Sequence, residues 1–288
     1  MILTQEMIDA AIDLGEPLRL GAGVWTAAAL KINQCCGLRI QGAGLWDPAN
    51  TGPGWSNLGR AIGTKILATA SGMLLDLTSS MGTTFTDLCL DGGGIADVGL
   101  GCRTIPGWPN RRTTLVNCQI QNFKQVGIQF GTPGDVSGFN SDMSIMENVI
   151  FAGCPIGIQI CNCQSVGHDW RHITNSDCPV CVSVDQGGQI AIRGVNQNGT
   201  TVPPRTFVRL GAGGLNVGTL LISQAHLENG CLVDGSQTHP YIPWQVIIES
   251  ALGTLPPPGD IPILVGNQST TFTQIGCNFN GRIVEIAA

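Results

Sequence analysis

Charge is what this chain has least of. Only 12% of its residues are Asp, Glu, Lys or Arg, about half the usual share. Three lysines and six glutamates, set against 40 glycines and 16 prolines, exclude a mainly helical protein. The arginines are scattered, Arg111-Arg112 being the only adjacent pair, and the formal net charge is −6. Neutralising a phosphate backbone needs a basic face, so no nucleic-acid partner is expected. No apolar run approaches the roughly 18 residues of a membrane span, so no membrane insertion is expected either. The opening Met1-Ile-Leu-Thr-Gln-Glu-Met-Ile-Asp9 lacks a basic stretch followed by an apolar one. A secretory signal is therefore not expected. Disorder is excluded by an apolar content of 43% spread along the whole chain.

What fills the surface in place of charge is Asn, Gln, Ser, Thr and Gly. A free monomer normally covers itself with lysine and glutamate, so this composition suits a subunit packed against copies of itself or other proteins. Twelve cysteines in a chain without a signal read as reduced thiols, which behave as small buried hydrophobes. Cys161, Cys163, Cys178 and Cys181 include Cys-x-Cys and Cys-x-x-Cys spacings, so a zinc site has to be weighed. Their period-2 surroundings, as in Cys178-Pro-Val-Cys181-Val-Ser-Val, favour stacked core thiols. No cofactor is expected.

Residues 4 to 14 read as one short helix. Thr4 stands at its start, Glu6 near its positive end, Met7, Ile8, Ala11 and Ile12 along one stripe, and Gly15 at its stop. Beyond it the helical period vanishes. Short apolar-x-apolar strands follow, each with a polar corner and a second strand opening near a glycine. Leu115-Val-Asn-Cys-Gln-Ile-Gln-Asn-Phe precedes Gly127-Ile-Gln-Phe; Met146-Glu-Asn-Val-Ile-Phe-Ala-Gly-Cys precedes Gly157-Ile-Gln-Ile. Leu90, Ile120, Phe151 and Cys178 mark a repeat near 30 residues, as in a solenoid. A sandwich or a propeller would not give this two-strand unit. Stacked coils pair each strand with the coil above and below, and Asn117, Asn148 and Asn175 suit the corners. The chain thus reads as all-β: a single-stranded right-handed parallel β-helix over residues 16–288, capped by a helix within residues 1–15. The apolar C-terminal Arg282-Ile-Val-Glu-Ile-Ala-Ala is expected to be covered by a partner.

Several residues carry a family likeness. An Ile8-Asp-Ala-Ala-Ile12 helix is followed by Leu18-Arg-Leu-Gly-Ala-Gly-Val-Trp25, Leu30-Lys-Ile32, Leu38-Arg-Ile-Gln-Gly-Ala-Gly44 and Thr64-Lys-Ile-Leu67. This order resembles the pectate-lyase-like superfamily, which includes pectinases, polygalacturonases and many phage tailspikes, with Trp25 in place of a usual tyrosine. The resemblance implies the fold; it does not choose between enzyme and inert spike. Hydrolases of that family use paired aspartates, a His-Gly and an Arg-x-Lys, and none of these occurs here.

The catalytic candidates are sparse: Asp87, Glu147 and Asp177, at similar places in successive repeats, then Asp91, the pair His168-Asp169, and His226 near Glu228. Their bland reading is corner polar residues. Trp46, Trp55, Trp108 and Trp244 read as loop residues, either sugar platforms or interface anchors. The leading expectation is a structural protein of a bacteriophage virion, made in the host cytoplasm. It would be a homotrimeric tail spike or capsid decoration that contacts other virion proteins and a host-surface polysaccharide. The alternatives are a polysaccharide hydrolase or lyase, and a sugar-binding module without catalysis.

Overall fold

The computed structural model describes residues 1–44, 63–105, 107–134, 140–162, 164–197, 205–211, 218–228, 230–238, 241, 243–253, 263–279 and 284–286. Helix α1, Gln5–Leu14, buries Ile8 and Ala11 on the first coil. Thr4 occupies the N-cap position, but its side chain makes no capping bond. Gly15 closes the helix in the left-handed region at φ 67°, its N–H donating to the carbonyls of Ala11 and Ile12.

After α1 the described strands pair in parallel throughout. A 13-stranded sheet holds the long strands and a 10-stranded sheet the short ones. Each long strand, such as Thr84–Asp91, Thr114–Gln121, Ile145–Ala152 or His168–Asn175, is followed by a short one. The chain then returns to the long-strand sheet one level higher. Inside the tube, equivalent side chains form ladders. Phe85, Leu115, Met146, Trp170, Ile192, Ile222 and Ile248 stand over one another. Leu100, Ile128, Ile158, Val182, Val208 and Val233 do so on the opposite wall. All of these are buried.

The repeat is less even than its first members suggest. Asn117 and Asn148 are 31 residues apart, whereas Asn175 and Gln197, also in register, are separated by 22. The residue over Leu90, Ile120 and Phe151 is accordingly Asn175, not Cys178. Asn175 is no corner residue. It is fully buried, and its amide bonds the carbonyl and N–H of Cys178. The glycines that open the short strands have a packing reason. A Cβ on Gly127 would lie 2.6 Å from the Gly157 oxygen and 2.9 Å from Ile120, and one on Gly157 would press on the Phe151 ring. In the coil where Asn175 replaces the phenylalanine, Cys181 takes the glycine's place.

One backbone feature recurs in every long coil. Asp87, Asn117, Asn148, His172, Gly194, Gln224, Ser250 and Gly276 all have positive φ, between 52° and 70°. They lie in register, the first six within their long strands and Ser250 and Gly276 just past the ends of theirs. Asn148 donates to the Asn117 side chain at 2.9 Å, and Asn117 donates to Asp87 at 3.0 Å. Asparagine and aspartate tolerate this region; β-branched residues do not. Asn117→Val should therefore lower the unfolding free energy by about 2 kcal/mol, from the left-handed penalty and the lost amide bonds. Asn117→Gly should cost less than half of that, and denaturant titration of both variants checks the order.

Candidate functional site

Two places on the surface gather polar groups. The first is a corner cleft of about 620 Å³ where long strands pass to short ones, lined by Asp91, Gly93, Asn122, Lys124, Gly153 and Pro155 among others. Asp91 ends the strand Thr84–Asp91 and is only 4% exposed. Burial by itself would raise its carboxyl. Four donors outweigh that and hold it below the usual carboxylate range. They are Lys65 Nζ at 2.8 Å, the Gly93 N–H at 2.9 Å, Gln121 Nε2 at 2.7 Å and Asn122 Nδ2 at 3.1 Å. The neighbouring thiol of Cys89 is pushed up by burial and by the Asp91 charge. Asp91 is thus an anchor for its corner, with its lone pairs already taken.

The second place is the outer face of the short-strand sheet. Gly101, Gln129, Gln159, Ser183, Arg209 and Asp234 lie in one register row. Arg103 donates to Gln129 at 3.4 Å, Gln129 to Gln159 at 3.1 Å, and Gln159 to Asp185 at 2.6 Å. Ser183 also donates to Asp185, at 2.7 Å, and Arg209 donates to Ser183 at 3.0 Å. The result is a continuous hydrogen-bonded strip across five coils with an arginine at each end. Its members went unnoticed in the sequence, although the twin Gly127-Ile-Gln129 and Gly157-Ile-Gln159 motifs place two of them at one repeat position.

The residues singled out from the sequence do not converge. Asp87 sits at the left-handed bend and accepts from Asn117. Glu147 stands one residue before that bend, exposed on the outer face, so its partner at the bend is Asn148 and the parity with Asp87 is lost. Asp177 lies beyond its strand, paired with the buried guanidinium of Arg205. The expected stack of these three acids is therefore absent. Asp169 is bridged by Arg171 at 3.0 Å and by Arg193. His226 and Glu228 are exposed on and just after the strand Gly218–Leu227.

Trp46, Trp55 and Cys163 lie outside the described residues. Trp108 is 49% exposed at a corner, its carbonyl accepting from Ser79. Trp244 is not a loop residue: it opens the strand Trp244–Glu249, 3% exposed, against Gly218, where a Cβ would come within 2.4 Å of its ring. Cys178 and Cys181 belong to the apolar core. Cys178 is pushed up by its hydrogen bond with Cys154 and by burial, and burial does the same to Cys181. Cys161 is buried at the end of its short strand, its thiol pushed up to about 12 by burial and the Asp185 charge. A zinc ligand must be a thiolate, and these environments oppose ionisation. Among the described residues no group of three or more His, Cys, Asp or Glu comes together.

His168 is equally structural. It begins the strand His168–Asn175 and is buried, near Phe130 and Trp170. Trp170 Nε1 donates to Ser144 Oγ at 2.9 Å, and Ser144 Oγ lies 2.7 Å from His168 Nδ1. Ser165 Oγ lies 2.9 Å from His168 Nε2 and donates to the Ser141 carbonyl. These directions fix the neutral ring with its proton on Nε2. Burial lowers its pKa to about 3.

Solved structures resemble this coil at low identity. The A-module of mannuronan C-5 epimerase AlgE4 from Azotobacter vinelandii matches with a TM-score of 0.55 and 15% identity, over 98% of this chain and 88% of that one. The shared fold is a right-handed parallel β-helix. The Agl-KA catalytic domain matches with a TM-score of 0.50 and 11% identity, over 97% of this chain. ORF18 of Geobacillus virus E2 matches with a TM-score of 0.47 and 11% identity, over 92% of this chain. The chain spans 63% and 54% of those two proteins, respectively. No family model and no curated protein matches. At these identities the likeness establishes the fold.

The buried histidine has a measurable consequence. Its folded pKa is depressed from 6.5 to about 3, so the unfolded chain binds the extra proton first. The stability is complete above pH 6.5 and is lost as pH falls from there toward 3. At pH 5 the loss amounts to about 2 kcal/mol relative to pH 7.5. Urea titrations at both pH values should show this loss in the wild type and not in His168→Asn.

Proposed function

We propose that this protein is a structural β-helix subunit of a virus particle, a spike or surface decoration that assembles as a homotrimer. The observation that carries the reading is the use made of its carboxylates. Every buried or half-buried aspartate among the described residues is bonded into the architecture. Asp76 accepts from Thr78, Asp97 from the Gly72 N–H, and Asp234 from the Ser236 N–H. Asp142 pairs with Arg111, and Asp87, Asp91, Asp169 and Asp185 are engaged as described above. Glycoside cleavage needs one carboxyl free to give a proton and another free to attack or activate water. Carboxylates held by fixed donors serve stability instead.

Low charge and exposed apolar residues at both ends, Ile2 at 70% and Ile275 at 54%, support a subunit whose surface is completed by others. A host-surface polysaccharide is the ligand that suits the amide strip from Arg103 to Arg209, since amides and guanidinium groups match sugar hydroxyls and carboxylates. The epimerase AlgE4 is named for mannuronan, a polysaccharide, and the likeness to its A-module favours that class of ligand. The test is native mass spectrometry of the purified full chain, with polysaccharide incubation followed by reducing-end assay and NMR of the sugar units. The reading expects a trimer that leaves chain length and sugar stereochemistry unchanged. A monomer that shortens or epimerises an acidic polysaccharide overturns it.

A further inference from the structure

Two cysteines that the proposed function does not use sit one over the other. Cys154-Pro155-Ile156 and Cys178-Pro179-Val180 form the same corner in successive coils. The strand pairs on either side fix their register. Phe151 stands under Asn175 and Ile156 under Val180, so each cysteine comes three residues after one pair and two before the next. Backbone bonds tie the two corners together from both sides. The Ser176 N–H donates to the Phe151 carbonyl at 2.9 Å, and the Val180 N–H donates to the Pro155 carbonyl at 3.3 Å. The Asn175 side chain holds the upper member, bonding both the N–H and the carbonyl of Cys178. Stacked positions in neighbouring coils lie about 4.8 Å apart, and a disulfide joins Cα atoms about 4.4–6.8 Å apart. The sulfurs also answer one another. What acts most strongly on the proton of each is the other thiol, with Cys178 donating, so that Cys154 ionises the more readily.

We infer that Cys154 and Cys178 are a redox-sensitive pair that a small peroxide closes into a disulfide, stapling two coils together. Both are buried, yet each lies one residue below the surface. Gly153 and Pro155 flank Cys154, Asp177 and Pro179 flank Cys178, and all four are exposed. Gly153 and Pro155 also line the corner cleft of about 620 Å³, which gives a small oxidant a path to this corner. In the first step the Cys154 thiolate attacks one peroxide oxygen. The O–O bond breaks, leaving a sulfenic acid and a hydroxide that takes up the proton Cys154 released. The Cys178 sulfur then attacks the Cys154 sulfur, the S–O bond breaks, and the hydroxyl departs as water with the Cys178 proton. Two thiols and one peroxide become one disulfide and two waters. Cys181 is not placed for this step, because it stands in register with Gly157 below and Phe207 above. The inference holds whether or not the chain is a virion subunit.

The test is exposure of the reduced full chain to hydrogen peroxide, alkylation of the remaining thiols in denaturant, and peptide mapping by mass spectrometry. Wild type should yield a Cys154–Cys178 peptide pair, two hydrogens lighter than its parts and released by dithiothreitol. Cys181→Ser should keep this pair, whereas Cys154→Ser and Cys178→Ser should lose it. Closing the loop from 154 to 178 restrains the unfolded chain. Peroxide should therefore raise the urea midpoint of wild type by about 1 M and leave that of Cys178→Ser where it was. A folded wild type in which both thiols stay open to alkylation overturns the inference. So does one in which Cys154 stops at a sulfinic acid or links to Cys181 instead. The wild-type map decides the matter even where a serine variant fails to fold.

Discussion

Each coil of this chain can hide its apolar row only because the next coil lies over it in register. A strand of five residues such as Val126–Phe130 buries nothing alone. Flanked by Val98–Cys102 below and Ile156–Ile160 above, it pairs its backbone on both sides and stacks Ile128 between Leu100 and Ile158. The stability of such a stack is a sum over neighbouring interfaces. The local devices therefore serve one purpose, which is to keep successive coils the same shape.

The left-handed bend is the chief of these devices. Eight long coils turn at the same point, and the residues there change from Asp87 through two asparagines and His172 to Gly276 without the bend moving. Conformation, not side-chain identity, is what the position requires. The inward glycines at 127 and 157 play the matching part on the other wall, where Ile120 and Phe151 need the volume that a Cβ would take. Coil length is free to vary between these fixed points because corners can absorb extra residues outside the tube.

The fold was legible in the sequence because it rests on period-2 runs that recur, and those can be counted. The asparagines at 117 and 148 could be placed at corners for the same reason. Asn175 could not: the coil that brings it over Phe151 is shorter than its predecessors, so counting by thirties lands on Cys178 instead. The site was much less legible. Glu147 and Asp87 look equivalent at a spacing near two repeats, yet one residue of offset turns one outward and puts the other on the bend. Trp244 follows a proline, and its partner Gly218 is unremarkable in a chain with 40 glycines, so nothing in the sequence marks it as a packed strand residue. The amide strip is a property of stacking, so no single coil displays it.

The most direct measurement of the central claim is an experimental density map that resolves strands about 4.8 Å apart. The stacking account predicts Leu115 lying between Phe85 and Met146, all strands parallel, with the bend at Asn117 directly over the one at Asp87. Antiparallel hairpins, or Leu115 and its equivalents facing water, would contradict it.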